Sequence, residues 1–400
     1  MPKLLQINVC ANWGSTGKIV EQIGEKAMAE GWESYVYYGD YANPSKSRLI
    51  KSIGRFPFMY EHYLECNFLD REGLASRIPT LNLVRIIKKI KPDIIHLHNI
   101  HDHWINYPIL FEYLAKSNIP VIWTFHDMWA ITGHCYINYG DCSRWKSNCE
   151  VCPKKNKFGP DRSEKNYHLK KRYFTAVKNL SIVAVSEWLG GIIQQSFLGG
   201  NDITVIPNGI DVGIFRPMTI ENNDPFGVGL DTKIILALAT TWTKEKGLDD
   251  YIKLSALLPY GYRIVLVGLS EEQISCLPSS IIGIKKITNQ MDLARLYNLA
   301  SVVTSLSYSE TFGLSVVEGM ACGTPSIIYD NSGQSALVSD ETGMKIKTGD
   351  VEAVRDAILA ITAKDKSTYR AQCRNRAISN YNKESQFSKY INLYNGILAR

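Results

Sequence analysis

The spacing of apolar residues along the first half of the chain predicts short strands that alternate with helices. Apolar, β-branched runs of this length are typical of buried strands, and they lie at 4–10, 35–38, 92–98, 120–127, 181–185 and 203–206. Between the first two runs, apolar residues recur at helical spacing from Ile19 to Ala27, and Gly31 ends the helix. Strands that alternate with helices predict a doubly wound parallel sheet, in which ligands bind beyond the carboxyl ends of the strands.

The second half repeats this alternation. Strands are predicted at 233–239, 262–268, 280–288, 302–306 and 327–329, and helices at 289–300, 351–361, 368–381 and 384–398, with a further helix that begins at Leu248. No apolar run approaches the roughly 20 residues that are needed to span a bilayer. A Pro-Asn-Gly turn at 207–209 separates the two alternating halves and predicts a linker.

The stretch 303–325 carries more candidate chemistry than any other part of the chain. A buried strand is followed by a break at Gly313, and Ser315 is then a plausible N-cap for a helix that ends at Cys322-Gly323. The free amides of a helix N-terminus attract anions, and phosphates above all. Glu310 and Glu318 flank this helix start and could hold hydroxyl groups. A phosphate-binding helix start between two carboxylates suits a sugar nucleotide.

Composition and charge narrow the class of protein. The 400 residues allow two domains of about 150–200 residues each, and 45% hydrophobic with 21% charged residues is ordinary for a soluble globular enzyme. The chain enters a strand directly without a signal peptide, and an odd number of cysteines, nine, does not suggest a secreted disulfide framework. We therefore expect a cytoplasmic, reduced protein.

The net charge of +6 lies entirely in the first half, where residues 1–205 hold 25 Lys+Arg against 19 Asp+Glu. Any one basic cluster is more typical of a solvated helix face, and the alternative is attraction to an anionic membrane or to a pyrophosphate-linked acceptor. Nucleic acid is not an expected partner, because aromatic residues are not interleaved with the charge. The clusters are Arg85/Lys88/Lys89/Lys91, Lys154/Lys155/Lys157 and Lys170/Lys171/Arg172.

Four cysteines fall within eighteen positions, with the spacing Cys-x6-Cys-x6-Cys-x2-Cys from Cys135 through Cys142 and Cys149 to Cys152. In a reduced compartment this pattern predicts tetrahedral thiolate ligation of a structural Zn²⁺. Because only one half is a true Cys-x2-Cys knuckle, packed reduced thiols or a disulfide pair stay open as alternatives. No open-site ligand set is evident, so a metal here would hold a loop and would not be a catalytic ion.

The run Glu310-x7-Glu318, followed by Gly319-Met320-Ala321-Cys322-Gly323-Thr324-Pro325, resembles the donor site of the retaining glycosyltransferases of family 4, which have the GT-B fold. The Gly-His-Cys and Cys-Pro pattern of the cysteine-rich segment is similar to that of a subgroup of bacterial capsule and exopolysaccharide transferases. The resemblance implies two Rossmann-like domains that face a central cleft.

The resemblance also implies the domain bounds. The N-terminal, acceptor-binding domain would span 1–207 with the cysteine-rich insertion at about 132–153, and 208–230 would be the linker. The nucleotide-sugar-binding domain would span 231–383, and the final helix, 384–400, would cross back to the first domain.

The same resemblance assigns roles to particular residues. Lys246 would bind the donor diphosphate, Glu310 would hold the sugar or steady positive charge at its anomeric carbon, and His126 would bind the sugar from the other domain. Thr241 stands where the family usually has an arginine, which leaves one fewer positive charge on the leaving group. The donor-binding residues would be Gly14, Thr16, Gly17, Thr241, Lys246, Thr311, Phe312, Gly313, Leu314, Ser315 and Glu318. Asn99, His101 and Asp127 are acceptor-side candidates.

The predicted reaction moves a sugar, with retention, from a UDP- or GDP-sugar to a hydroxyl of a glycan or a polyprenyl-pyrophosphate-linked saccharide in surface polysaccharide or lipopolysaccharide synthesis. It needs no metal cofactor, consistent with the missing Asp-x-Asp motif, and it would take place in the cytoplasm or at the inner face of the membrane. A GT-B epimerase or hydrolase and a non-catalytic sugar-nucleotide-binding protein are the alternatives. A nicotinamide oxidoreductase is disfavoured, because the G-x-G-x-x-G fingerprint is absent.

Overall fold

The computed structural model describes residues 1–53, 58–137, 142–152, 159–219, 227 and 232–399. The chain divides into two compact units, of which one holds 1–207 together with 384–400 and the other holds 208–383. In the described part of the chain, no helix is both long and apolar enough to cross a membrane.

The first unit is built on a seven-stranded sheet whose neighbouring strands are all parallel. Its spatial order is β3-β2-β1-β4-β5-β6-β7, so the first strand lies inside the sheet and the chain winds outward from it in both directions. The strands are β1 (Lys3–Asn8), β2 (Glu33–Tyr38), β3 (Arg48–Lys51), β4 (Ile94–Leu97), β5 (Val121–Phe125), β6 (Leu180–Ala184) and β7 (Asp202–Val205).

Helices connect most of these strands, as is usual for parallel pairing, whereas β2 is joined to β3 by a loop. The helices are α1 (Gly14–Ala29), α2 (Phe58–Leu69), α3 (Arg77–Ile90), α4 (Tyr107–Lys116), α5 (Ser163–Phe174) and α6 (Glu187–Gln194). The predicted alternation is confirmed, and the edge strand β3 is an addition to it. Helix α2 lies in a segment rich in aromatic residues, of which residues 54–57 lie outside the described residues.

The second unit holds a six-stranded parallel sheet in the order β10-β9-β8-β11-β12-β13. Its strands are β8 (Lys233–Leu238), β9 (Tyr262–Val267), β10 (Ile281–Ile284), β11 (Val302–Ser305), β12 (Ser326–Tyr329) and β13 (Gly343–Ile346). Its helices are α7 (Leu248–Leu257), α8 (Glu271–Ser275), α9 (Gln290–Leu299), α10 (Leu314–Ala321), α11 (Val351–Thr362) and α12 (Ser367–Tyr381). The doubly wound parallel architecture predicted for this half is therefore present.

The last helix, α13 (Lys383–Leu398), completes the core of the first unit. Its Phe387, Tyr390 and Tyr394 are at most 2% exposed and pack in one cluster with residues of β1 and α1, among them Leu4 and Ile23. The Tyr394 hydroxyl also lies 2.7 Å from Nδ1 of a buried histidine on β4. The end of the chain is thus part of the packing of its beginning.

The described part of the predicted linker, 208–219, belongs to the second unit and is held there by hydrogen bonds. Arg374 on α12 donates to the carbonyl oxygens of Phe215 and Val212 at 2.6 and 2.8 Å, and the Ile210 amide donates to Tyr381 O at 2.8 Å. This stretch therefore packs as part of a domain.

One of the predicted basic clusters is not wholly a solvated surface. Lys171 and Arg172 on α5 are exposed, but Lys170 is 1% exposed and donates to Trp129 O and Thr132 O at 2.7 and 3.1 Å. Burial lowers the pKa of Lys170 to about 8. The basic residues of α3 are exposed as expected, whereas Lys154, Lys155 and Lys157 lie outside the described residues.

Candidate active site

Helix α10 begins two residues earlier than the sequence suggests. Its N-cap is Gly313 rather than Ser315, at a φ of +103° that side chains rarely adopt. A Cβ at this position would also meet Leu337 Cδ1 at 3.1 Å. No side chain caps the first turn, and the backbone bonds to the Gly313 carbonyl begin at Val316. The predicted helix start is therefore present but the predicted Ser315 cap is wrong, and the first amides, which no side chain caps, are suited to an anion.

A turn from the neighbouring β8–α7 connection approaches the loop before α10. Gly247, at a φ of +80°, permits this approach, because a Cβ there would lie 2.3 Å from Leu306 O. The amide of Tyr308 donates to Glu245 O at 2.8 Å and ties the two loops together. Lys246, between these contacts, is thereby brought to the loop that carries Glu310.

The two residues predicted to act on the donor form an ion pair. Nζ of Lys246 lies 2.5 Å from Oε2 of Glu310, and both side chains are partly exposed. The backbone of Glu310 is fixed on both sides, since its amide donates to Ser332 Oγ at 3.0 Å and its carbonyl accepts from the Gly333 amide at 2.8 Å. Cγ of Glu310 lies 3.8 Å from the Cβ position of Gly313, so the ammonium, the carboxylate and the helix start are adjacent.

Glu318 is held by a residue that the sequence analysis did not single out. The buried hydroxyl of Tyr297 on α9 donates to Glu318 Oε2 at 2.8 Å. Burial, together with the adjacent carboxylate, raises the pKa of Tyr297 well above its usual range, so the phenol stays protonated and acts as the donor. This contact fixes the orientation of the Glu318 carboxylate.

The remaining predicted donor-binding residues of this unit differ in exposure. Thr241 is exposed, and Thr311, Leu314 and Ser315 are partly buried beside the helix start. Phe312 is 3% exposed, and its ring packs edge-on against Tyr381 at 5.7 Å, so its side chain is a core group. Only its backbone is placed to contribute to a binding loop.

In the first unit, the β1–α1 loop has the predicted glycines at the start of a helix. Gly14 begins α1 at a φ of +66° with open space around its Cβ position, and no side chain caps the helix. Gly17 is a packing position, since a Cβ there would lie 3.0 Å from Cys10 Sγ. Thr16 is partly buried. Gly17 is therefore explained by packing, while Gly14 and Thr16 stand at an uncapped helix start.

His126, just beyond β5, is reached by a chain of hydrogen bonds that begins on β1. Gln6 Nε2 donates to Val20 O at 2.9 Å, which leaves Gln6 Oε1 to accept from His98 Nε2 at 3.3 Å. His98 Nδ1 must then accept, and it lies 3.1 Å from Nε2 of His126. This sequence of donors assigns the proton of neutral His126 to Nε2 and makes its Nδ1 an acceptor.

The charge state of His126 agrees with this assignment. Burial lowers the pKa of His126 to about 4; Asp127 opposes the shift, and His101 adds to it. The ring is therefore neutral near pH 7 and can accept a hydrogen bond from a hydroxyl.

The acceptor-side candidates form a second, charged group. His101 Nε2 lies 2.8 Å from Asp127 Oδ2, and its Nδ1 lies 3.1 Å from Asp102 Oδ1. Burial opposes the charge on His101, but the two carboxylates outweigh it and raise its pKa well above the usual range. The backbone amide of Asn99 donates to Asn8 Oδ1 at 3.1 Å and holds this residue in place. The first unit thus sets a neutral histidine beside a charged one.

Two groups of side chains in the described residues have metal-ligating atoms within 4.8 Å of one another: Glu72, His101 and Asp102 in one, and His134, Cys135 and Cys152 in the other. In the first, the Glu72 oxygens already accept from Tyr136 OH and Trp129 Nε1 at 2.5 and 3.0 Å. The second overlaps the predicted cysteine set and adds a histidine to it.

Known proteins resemble both halves of the chain. Residues 16–213 match the family described as Glycosyltransferase Family 4, and residues 221–380 match the family described as Glycosyl transferases group 1. The putative colanic acid biosynthesis glycosyl transferase WcaC of Escherichia coli (strain K12) is 25% identical over 226 residues, which are 52% of this chain and 55% of that protein. The chain thus spans about half the length of this curated relative.

Solved structures resemble the whole chain. Sucrose-phosphate synthase from Thermosynechococcus elongatus superposes with a TM-score of 0.75 at 19% identity, over 100% of both chains. Anabaena Alr3699/HepE, solved in complex with UDP and glucose, superposes with a TM-score of 0.67 at 14% identity, over 99% of this chain and 100% of that one. These likenesses concern the fold, and the family matches concern the sequence. Together they establish that the chain is a glycosyltransferase of family 4 with the GT-B fold.

Proposed function

We propose that the protein transfers a sugar, with retention of anomeric configuration, from a nucleoside diphosphate sugar to a hydroxyl of a glycan or lipid-linked saccharide during surface polysaccharide synthesis. The observation that carries the proposal is the Lys246–Glu310 pair beside the uncapped start of α10. The bond between the anomeric carbon and the diphosphate breaks, and a bond to the acceptor oxygen forms on the same face of the sugar. The hydroxyl proton passes to the departing diphosphate.

The second unit would bind the donor. Negative charge grows on the leaving diphosphate, and both the Lys246 ammonium and the amides of Gly313–Ser315 stabilise charge at that place. An ammonium has three donors, so Lys246 can keep its bond to Glu310 while it binds a phosphate oxygen. Glu318, oriented by Tyr297, is suited to the ribose hydroxyls of the nucleotide.

The first unit would present the acceptor and contribute His126. As a neutral ring with an acceptor at Nδ1, His126 suits a sugar hydroxyl, whereas a protonated ring would not accept this bond. The charged His101–Asp127 pair lies beside it and can bind hydroxyls of the acceptor.

Related proteins support the donor and pathway classes. HepE was solved with UDP and glucose, which favours a uridine nucleotide over the GDP alternative. The WcaC relative is named for colanic acid biosynthesis, which favours a surface polysaccharide as the product.

Ligand binding and product analysis test the proposal. Melting of the full chain should shift upward with one nucleoside diphosphate and its sugars more than with the others, because a ligand that binds only the folded state stabilises it. UDP release should then depend on an acceptor, and NMR of the product should show the donor's anomeric configuration. Release that is equally fast without an acceptor would favour a hydrolase or an epimerase, and an inverted product would refute retention.

We also propose that the first unit contacts an anionic membrane surface at the inner face of the cytoplasmic membrane. Helix α3 carries exposed basic residues, and its Ile78 is 55% exposed. On α2, which precedes α3 in the chain, Tyr60 and Phe68 are 58% and 52% exposed. Cations beside exposed aromatic and aliphatic side chains are typical of interfacial binding.

Vesicle sedimentation tests this contact. The wild-type chain should sediment with vesicles that contain an anionic phospholipid and not with neutral ones, and Lys88→Glu/Lys89→Glu should abolish the difference. Lys285→Glu, an exposed change of the same sign in the second unit, is the control. Equal sedimentation of wild type with both kinds of vesicle would refute an electrostatic contact.

A further inference from the structure

The side chains of His134, Cys135 and Cys152 converge although seventeen positions of sequence separate the two thiols. The three ligand atoms all lie within 4.8 Å of one another, and Cys152 Sγ is 3.3 Å from His134 Nε2. In a tetrahedral site with Zn–S near 2.3 Å and Zn–N near 2.0 Å, the ligand atoms are about 3.6–3.8 Å apart. The observed spacing therefore fits one metal ion with small movements of the side chains.

Cys149 is our candidate for the fourth ligand, although its Sγ does not lie within 4.8 Å of all three of these atoms and would have to move towards them. It forms a Cys-x2-Cys knuckle with Cys152, and its Sγ accepts from the amide of Gly133, the neighbour of His134, at 3.3 Å. Cys149 and Val151 have φ values of +56° and +47°, which are unfavourable for residues other than glycine. Two strained positions within one four-residue turn need a compensating interaction, and metal ligation at both ends of the turn would provide it.

The histidine is also oriented as metal-bound histidines are. Nε2 of His134 faces the thiols, while its Nδ1 is buried without a hydrogen bond and lies 3.5 Å from Asp70 Oδ1. Asp70 is itself fixed, because its Oδ2 accepts from the Arg162 amide at 2.9 Å. A carboxylate behind the second ring nitrogen is the usual outer support of a histidine ligand.

We propose that His134, Cys135, Cys149 and Cys152 bind Zn²⁺ in a closed, structural Cys₃His site. Compared with the four-cysteine set expected from the sequence, His134 takes the place of Cys142. Three thiolates and one neutral imidazole on Zn²⁺ leave one negative charge. The ammonium of Lys170 is buried and donates to Thr132 O, two positions before His134, at 3.1 Å, and it would offset this charge.

The metal would fix the loop that covers the charged acceptor-side group. Tyr136, next to Cys135, donates through its hydroxyl to Glu72, and its ring packs edge-on against His101 at 4.9 Å. Its carbonyl accepts from the Met128 amide at 2.8 Å, just after Asp127. The site is therefore structural, and its effect on transfer would act through the position of this loop.

Elemental analysis of the full chain, purified without chelator, tests the proposal. We expect about one zinc per chain. Cys152→Ser and His134→Gln should each reduce the zinc content at least threefold. The matched controls, Cys276→Ser and His168→Gln, change exposed residues outside the cluster and should retain the metal. Under half an equivalent in wild type, or equal loss in the controls, would overturn the proposal.

A second measurement does not depend on the folding of variants. Mild alkylation of native wild-type protein, followed by peptide mapping, should leave the thiols of Cys135, Cys149 and Cys152 protected until a chelator is added, while Cys276 reacts at once. Equal labelling with and without chelator, or a Cys135–Cys152 disulfide in unreduced protein, would overturn metal ligation. Zinc that survives Cys149→Ser but is lost in Cys142→Ser would overturn the assignment of the fourth ligand. None of these results depends on the donor, the acceptor or the transfer reaction.

Discussion

One substitution in the ion pair between Lys246 and Glu310 should lower the rate of transfer strongly while it changes the stability of the fold only slightly. The two side chains are 32% and 23% exposed, and ion pairs with access to solvent contribute about 0–1 kcal/mol to folding. Lys246→Met keeps the aliphatic stem and removes the charge. We therefore expect its free energy of unfolding to fall by at most about 1 kcal/mol, which is a melting shift of roughly 2–4 °C for a unit of this size.

The effect on the rate should be much larger. Removal of one preorganised donor from a place where negative charge develops typically costs about 2.7–4 kcal/mol of transition-state stabilisation, or 10²–10³-fold in rate. If Lys246 faces the leaving diphosphate, Lys246→Met should lower kcat/KM by about a hundredfold or more. Lys246→Arg, which keeps the charge, should recover part of the loss.

The assay measures the acceptor-dependent release of nucleoside diphosphate, with chemical denaturation in parallel. Lys285→Met is the matched control, because Lys285 pairs with Glu271 in the same unit, with both side chains more than half exposed. It should leave both rate and stability unchanged. A Lys246→Met protein that keeps more than a tenth of the wild-type rate would show that the pair is structural, and so would an equal loss in the control.

Three further predictions follow from named contacts. Tyr297→Phe removes the hydrogen bond to Glu318, and hydrogen bonds to charged groups contribute about 1.5–3 kcal/mol. The KM for the donor should therefore rise roughly tenfold with kcat nearly unchanged. A fall in kcat alone would contradict this role. Gln6→Met removes the oxygen that accepts from His98 and thereby sets the tautomers of His98 and His126. We expect kcat to fall at least fivefold. An unchanged rate in a folded variant would refute the tautomer assignment. Burial lowers the pKa of His96 to about 3, so the ring stays neutral in the folded chain while the unfolded chain binds a proton below about pH 6.5. The free energy of unfolding should therefore fall as the pH drops from 6.5 towards 4, by up to about 2 kcal/mol at pH 5 for this residue. In denaturant titrations, His96→Gln should flatten the dependence of the free energy of unfolding on pH. An unchanged pH dependence would count against burial as the cause.

The sheet architecture could be predicted because its strands are parallel and buried on both faces. Such strands consist of nearly continuous apolar runs, as β5 and β12 do, and the runs are visible without knowledge of their neighbours. The strand β3, with the sequence Arg-Leu-Ile-Lys, was missed because both of its ends are exposed and its apolar core is two residues long. The start of α10 was misplaced by two residues, because the sequence does not reveal that Gly313 adopts a positive φ.

From the residues alone, the candidate site was predictable only where its members share one motif, and Lys246 was added to it through the family resemblance. Glu310, Glu318 and the helix start follow one another in the chain, so their proximity is local. The residues that support these groups are not local in the sequence, since Tyr297 comes from another helix and Ser332 from a different loop. The contact between Gln6 and His98 spans 92 positions and arises from the pairing of β1 with β4. Only a correct strand register would have revealed it.

The position of α13 affects how the protein folds during its synthesis on the ribosome. Residues that pack on β1 and α1, such as Tyr390 and Tyr394, are separated from those elements by more than 350 positions of sequence. The segment that holds β1 and α1 therefore cannot bury its apolar surface fully until α13 has been synthesised. The second unit is one continuous stretch, 208–383, and does not depend on a distant segment for its core. It can therefore fold as soon as it has been synthesised. The order of synthesis and the order of folding should therefore be opposite in this chain, with the earlier-made half the later to mature.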